Sequence, residues 1–153
     1  MALDAGATDR VLVVRAGSHL VAVPAAHVTE TMRPLAVAPL AGLPSFVLGA
    51  AVIRGLPTPV VDLAGLVGAG DPDPGPGPGP GRFVVLRVGA RRVALAVTAV
   101  VGMRAMAIEA LPPLFAQPAE GAALAIGRLD AELVLILTGT RLVPDDVWSA
   151  VEA

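Results

Sequence analysis

The chain has no cysteine, which excludes disulfide bridges, thiolate nucleophiles and cysteine-bound metal together. It has no tyrosine, and aromatics make up only 3% of its 153 residues, so no stacking platform for nucleic-acid bases is visible. Charge is scarce at 16%, with 11 basic against 13 acidic residues and a formal net charge of -2. No run of arginine or lysine makes a basic patch, so nothing favours a nucleic-acid partner. His19 and His27 are the only histidines, and neither has a partner at metal-ligand spacing. Nucleophile-elbow and phosphate-loop motifs are absent, and the carboxylates Glu30, Asp62, Glu109, Asp130 and Glu132 are dispersed. The expectation is a protein with no catalytic residues, no metal and no cofactor.

What remains is apolar. Hydrophobic residues make up 55% of the chain, enough for one ordinary domain or two small lobes sharing a core. Pro34 to Ile53 is uncharged and long enough to cross a bilayer, but Pro34, Pro39 and Pro44 break it into short pieces. Buried strands and turns fit that pattern better. The opening MALDAGATDR carries Asp4 and Asp9 and no apolar core, unlike a signal peptide. A cytoplasmic protein without direct membrane insertion is expected.

Residues 1–9 read as a flexible leader. Val11–Val14 and Leu20–Val23 are β-branched runs around a turn at Gly17, and Pro24 ends the second. Asp71–Gly81, DPDPGPGPGPG, is a low-complexity connector with no side chain able to pack. After it, FVVLRVGARRVALAVTAV from Phe83 aligns without a gap on VLVVRAGSHLVAVPAAHV from Val11. The match of Arg15-Ala16-Gly17 to Arg87-Val88-Gly89 places a polar turn at the same phase of two hairpins. Leu124–Arg128 and Glu132–Leu137 flank a hairpin turn at Asp130-Ala131. Pro144 and the acidic residues after it suggest a closing helix over 143–153. The fold class expected is mostly β: two small barrels side by side, with a short C-terminal helix.

The most informative stretch is Phe46–Leu63, FVLGAAVIRGLPTPVVDL. It reads as an apolar strand, a glycine, a second apolar strand, an Arg54-Gly55 turn, and a last segment closing on Asp62. An arginine at a glycine turn in such surroundings is either presented to a partner or clamped internally, Asp62 being a candidate acceptor. Glu30 and Arg33, beside proline in apolar sequence, pose the same choice.

These residues resemble the CheW-like family of chemosensory adaptors. The matching text is Glu30-Thr31-Met32-Arg33-Pro34, Val37-Ala38-Pro39-Leu40, Leu43 to Gly49, Arg54-Gly55 and Pro59-Val60-Val61-Asp62-Leu63, with Phe83–Val101 and Glu132–Leu137 following in family order. The resemblance covers about Val11 to Leu142 and places a CheW-like domain over 10–142. It implies two SH3-like five-stranded β barrels with a hydrophobic core between them and no catalytic centre. It implies an adaptor that couples chemoreceptor cytoplasmic tips to the regulatory domain of a CheA-type histidine kinase, associated with membrane receptor arrays through those partners. A module of a non-flagellar chemosensory pathway, or a competitor of the main adaptor, is the alternative. By resemblance the partner-binding residues are Glu30, Arg33, Pro39, Val47, Arg54 and Gly55, and the structural ones are Gly17, Gly49, Pro59, Asp62 and Gly89. The sequence departs from the family where Val52 stands two residues before the arginine in place of asparagine, where Thr138-Gly139 replaces the usual Asp-Pro, and in the length of its connector.

Overall fold

The computed structural model describes residues 8–42, 44–66, 81–110, 124–129 and 132–137. The Pro/Gly connector up to residue 80, the Asp130-Ala131 turn, Thr138-Gly139 and the expected helix over 143–153 lie outside these residues.

The strands are β1 (Thr8–Ala16), β2 (His19–Pro24), β3 (Val28–Met32), β4 (Val47–Ile53) and β5 (Leu56–Asp62), then β6 (Arg82–Val88), β7 (Arg91–Val97), β8 (Ala99–Ala110), β9 (Leu124–Leu129) and β10 (Glu132–Leu137). A single-turn helix α1 (Leu63–Leu66) follows β5. The ladders β1-β2-β10-β9-β8 return to β1 and close a ring. The remaining strands form a five-stranded sheet in the order β3-β6-β7-β5-β4. No described ladder joins β3 to β4, so this sheet stays open along one seam where a second barrel was expected. The sheets are not successive halves of the chain, because β3 to β7 are inserted between the second and third strands of the ring's sequence. β1 also starts earlier than the expected leader allows, with Thr8 and Asp9 paired to Ala107 and Met106.

The near-continuous apolar runs follow from strands buried on both faces, where successive side chains point to opposite sides. In β1, Val11 and Val13 join one core with Leu20 and Ala22, while Leu12 and Val14 join another. In β6, Phe83 and Val85 face the inside of the second sheet, and Val84 and Leu86 face the first sheet. In β7, Ala94 and Ala96 point inward, and Val93, Leu95 and Val97 point across. Each sheet therefore has its own core, and a third, shared core lies between the sheets. Valine and leucine dominate it.

The repeated hairpins build this seam. Arg15 pairs with Leu20 and Ala16 with His19, while Arg87 pairs with Arg92 and Val88 with Arg91. The two registers match at every aligned position. Gly17 and Gly89 both open two-residue turns at φ 60° and 63°, a conformation that glycine adopts without Cβ strain. Thr98 ties the lobes at their junction: its N–H donates to the Arg15 carbonyl, and its hydroxyl accepts from the Gly17 N–H at 3.1 Å.

Candidate partner-binding site

Instead of two short strands separated by glycine, Val47–Ile53 is one strand with Gly49 inside it. β4 lies at the sheet edge, and residues on either side of Gly49 explain why glycine is required. Ala38 forms an isolated bridge to Ala50, with N–H donors in both directions. At Gly49, φ is 141°, and an added Cβ would fall on the Ala38 carbonyl oxygen. The loop residue can cap the strand edge only because that Cβ is missing.

The β4–β5 turn consists of Arg54 and Gly55, with Ile53 opposite Leu56. Both turn residues have positive φ, 54° and 78°, as a type I′ hairpin demands. Arg54 is the one non-glycine residue with positive φ among the described residues. That backbone region disfavours any residue bearing a Cβ. The side chain projects from the turn to the opposite edge of the sheet. Arg54 Nε donates to Glu30 Oε2 at 3.1 Å, and a terminal nitrogen donates to Glu30 Oε1 at 2.9 Å. This is a two-point, charge-assisted contact in which the fork fixes direction as well as attraction. Because β3 and β4 are the two sheet edges, the pair spans the seam that no ladder closes. It is exposed, with Arg54 at 66% and Glu30 at 24%, so its value is geometric more than energetic.

The Arg54 hydrogen bonds hold the Glu30 carboxyl below the usual glutamate range, with the charges of Arg54 and Arg92 acting in the same direction. The same bonds raise the Arg54 pKa. Asp62, considered as an acceptor for Arg54, serves α1 instead. It is half-buried, and its carboxylate accepts from the backbone N–H groups of Ala64 and Gly65. Burial raises its pKa despite those bonds.

The other expected residues divide. Gly55 is exposed on the turn, Arg33 is exposed just beyond β3, and Pro39 is exposed in the loop beside the Ala38 bridge. Pro59 is buried within β5 opposite Ala50. Val47, expected to bind a partner, belongs to the shared core at 8% exposure: the register slips between Val47 and Gly49, so Val47 lies with Val61 in that core while Ala51 and Ile53 lie in the second sheet's own core. The outward positions are Leu48 and Val52, at 38% and 67% exposure. Pro57 is exposed opposite Val52, and Leu56 is 54% exposed beside the turn. Sequence reasoning missed these exposed apolar side chains. Their signal was the alternation running from Val47 to Ile53, hidden because the outward positions are also apolar.

The site therefore offers exposed apolar side chains, a projecting turn and a guanidinium already held in place. No group of His, Cys, Asp or Glu that could hold a metal ion occurs among the described residues. No described helix is long and apolar enough to cross a membrane.

The CheW-like domain model matches residues 10–147. The chain belongs to the CheW-like domain family. It is thereby a non-catalytic adaptor of chemotaxis signalling, consistent with a site made for contact. Among solved structures, it is similar to the scaffolding protein TtCheW from Thermoanaerobacter tengcongensis, at 21% identity and a TM-score of 0.72 over 86% of this chain and 90% of that one. No curated protein matches the chain.

Proposed function

We propose that this CheW-like adaptor couples the cytoplasmic tips of chemoreceptors to the regulatory domain of a CheA-type histidine kinase, using the β4–β5 surface around Arg54. The observation that carries this reading is the exposure of the apolar side chains Leu48, Val52 and Leu56 on the β4–β5 hairpin that carries Arg54 of the Glu30–Arg54 pair. An apolar surface with a preorganised arginine at its margin has the make-up of an interface hot spot. Glu30 and Arg54 supply direction, Gly55 keeps the turn tight, and Arg33 and Pro39 lie along the adjoining loop. Receptors and kinase reach the membrane array together, so the adaptor needs no membrane segment of its own.

The test is reconstitution of receptor membranes, kinase and adaptor, reading kinase autophosphorylation with and without attractant. The adaptor should make kinase activity receptor-dependent, and Val52→Asp should abolish that dependence while leaving the fold intact. If the wild-type chain instead lowers the activity of an assembled receptor–adaptor–kinase complex, it is a competitor. Absence of binding to either partner would refute the coupling role.

A further inference from the structure

Although the sequence has no basic run, the fold places Arg54, Arg87, Arg91 and Arg92 at one end of the second sheet, with Arg33 and Arg82 at the other. Among the described residues from β3 to β7, Arg33, Arg54, Arg82, Arg87, Arg91 and Arg92 face only Glu30 and Asp62 in number. This contrasts with the chain's formal charge of -2. Strand alternation explains the placement. Phe83 and Val85 point into the sheet's own core, and the next position on that side of β6 is Arg87. Ala96 and Ala94 do the same on β7, followed on that side by Arg92. Arg87 and Arg92 are direct cross-strand partners.

Like charges placed directly opposite on neighbouring strands are unfavourable. The nearby carboxylate does not fully relieve this pair. Arg92 is close enough to Glu30 to help lower its pKa, but both Glu30 oxygens accept from Arg54. Arg87 Nε donates to the Gly89 carbonyl at 3.1 Å, which steadies the side chain without neutralising it. No described carboxylate forms an ion pair with Arg87 or Arg92. Among the described residues, the rim thus pairs Arg87, steadied by a carbonyl, with Arg92, and the nearest carboxylate, Glu30, is engaged by Arg54.

We propose that the Arg87/Arg92 rim binds the carboxylates of an acidic peptide segment on a protein partner, next to the Glu30–Arg54 pair. Guanidinium forks match carboxylates in two-point contacts, and bringing one in would relieve the cross-strand repulsion. A nucleic-acid strand is the less favoured ligand, since the chain has no tyrosine and few aromatics on which bases could stack. The site does not depend on coupling between receptor and kinase, so either reading can fail alone.

The experiment uses the full chain and a fluorescein-labelled, C-terminally amidated polyglutamate peptide, with anisotropy read at low and moderate salt. Wild type should bind in a salt-sensitive manner. Joint Arg87→Gln and Arg92→Gln substitution should weaken binding by about tenfold or more. Arg33→Gln, which removes a charge elsewhere on the same sheet, should change it by less than about twofold. No binding by wild type, an equal loss in the Arg33 variant, or tighter binding of an oligothymidylate would overturn the proposal. A second readout needs no variant: peptide titration should shift the Arg87 and Arg92 Nε–Hε resonances and leave Arg33 in place. The opposite pattern would also overturn it.

Discussion

At Arg54, backbone and side chain make opposing demands. The turn prefers Asn-Gly or Gly-Gly because both central residues have positive φ, whereas the contact to Glu30 requires a long fork. Arg54→Asn should therefore keep or raise the thermal midpoint by easing the backbone, while weakening partner affinity by about tenfold or more. Arg54→Ala should lose affinity similarly without that backbone relief, and Arg54→Lys should recover little because an ammonium lacks the fork. Thermal melts and partner titrations on the same samples check both halves. A large fall in the midpoint with affinity intact would make the arginine a structural clamp.

The acid response follows from the same pair. Glu30 has a lowered pKa in the fold, so its contribution is present above the unfolded pKa and is lost as pH falls through the folded one. The stability difference between wild type and Glu30→Gln should accordingly shrink on acidification through the carboxylate range. Asp62 works in the opposite sense. Its pKa is raised by burial, so ionisation is disfavoured in the fold and its contribution improves as pH falls from neutral through the raised value. Denaturant midpoints measured across acidic pH, compared with Asp62→Asn, test that sign.

At the scale of elements, the edge of β4 and the two matched turns make distinct demands on glycine. Gly49→Ala puts a methyl group where the Ala38 carbonyl lies, at φ 141°. The loop must leave the strand edge, and the expected loss of stability is about 1 to 3 kcal/mol. Amide exchange should then lose protection at Ala38 and Ala50 before the rest of the sheet. Gly17 and Gly89 occupy equivalent turns in identical register, with nearly equal φ. Alanine at either should cost a similar amount, on the order of 1 kcal/mol. A strong disparity in denaturant melts would mean that the repeat is one of sequence alone.

Across the whole molecule, the shared core couples the two sheets. Leu95 is fully buried in a cluster that draws on β1, β2, β6, β7 and α1. Leu95→Ala should destabilise by about 2 to 5 kcal/mol, as large-to-small core changes do. Because that core joins the hairpins of both sheets, unfolding should remain a single cooperative transition by circular dichroism and by scanning calorimetry. Two separated transitions would show that the sheets are independent units.

Much of the strand content was legible because β-branched runs and glycine turns act locally. The hairpin registers could be read from the aligned Arg-x-Gly segments, and the CheW-like membership from residues around Arg54 and Pro59. The partner of Arg54 was not legible: Glu30 lies 24 residues away on the opposite sheet edge, and only the curl of the sheet brings it to the turn. Val47 and Leu48 have similar hydropathy, so composition could not say which one faced inward; the pairing of β4 with β5 decided it. Closure of the first ring and the open seam of the second depend on ladders between distant strands, whose pairing no local pattern specifies. The sequence by itself determined where strands and turns form, because backbone conformation and side-chain alternation are local. The tertiary structure decided which faces meet and which charges become neighbours, because burial and ion pairing depend on separations through space.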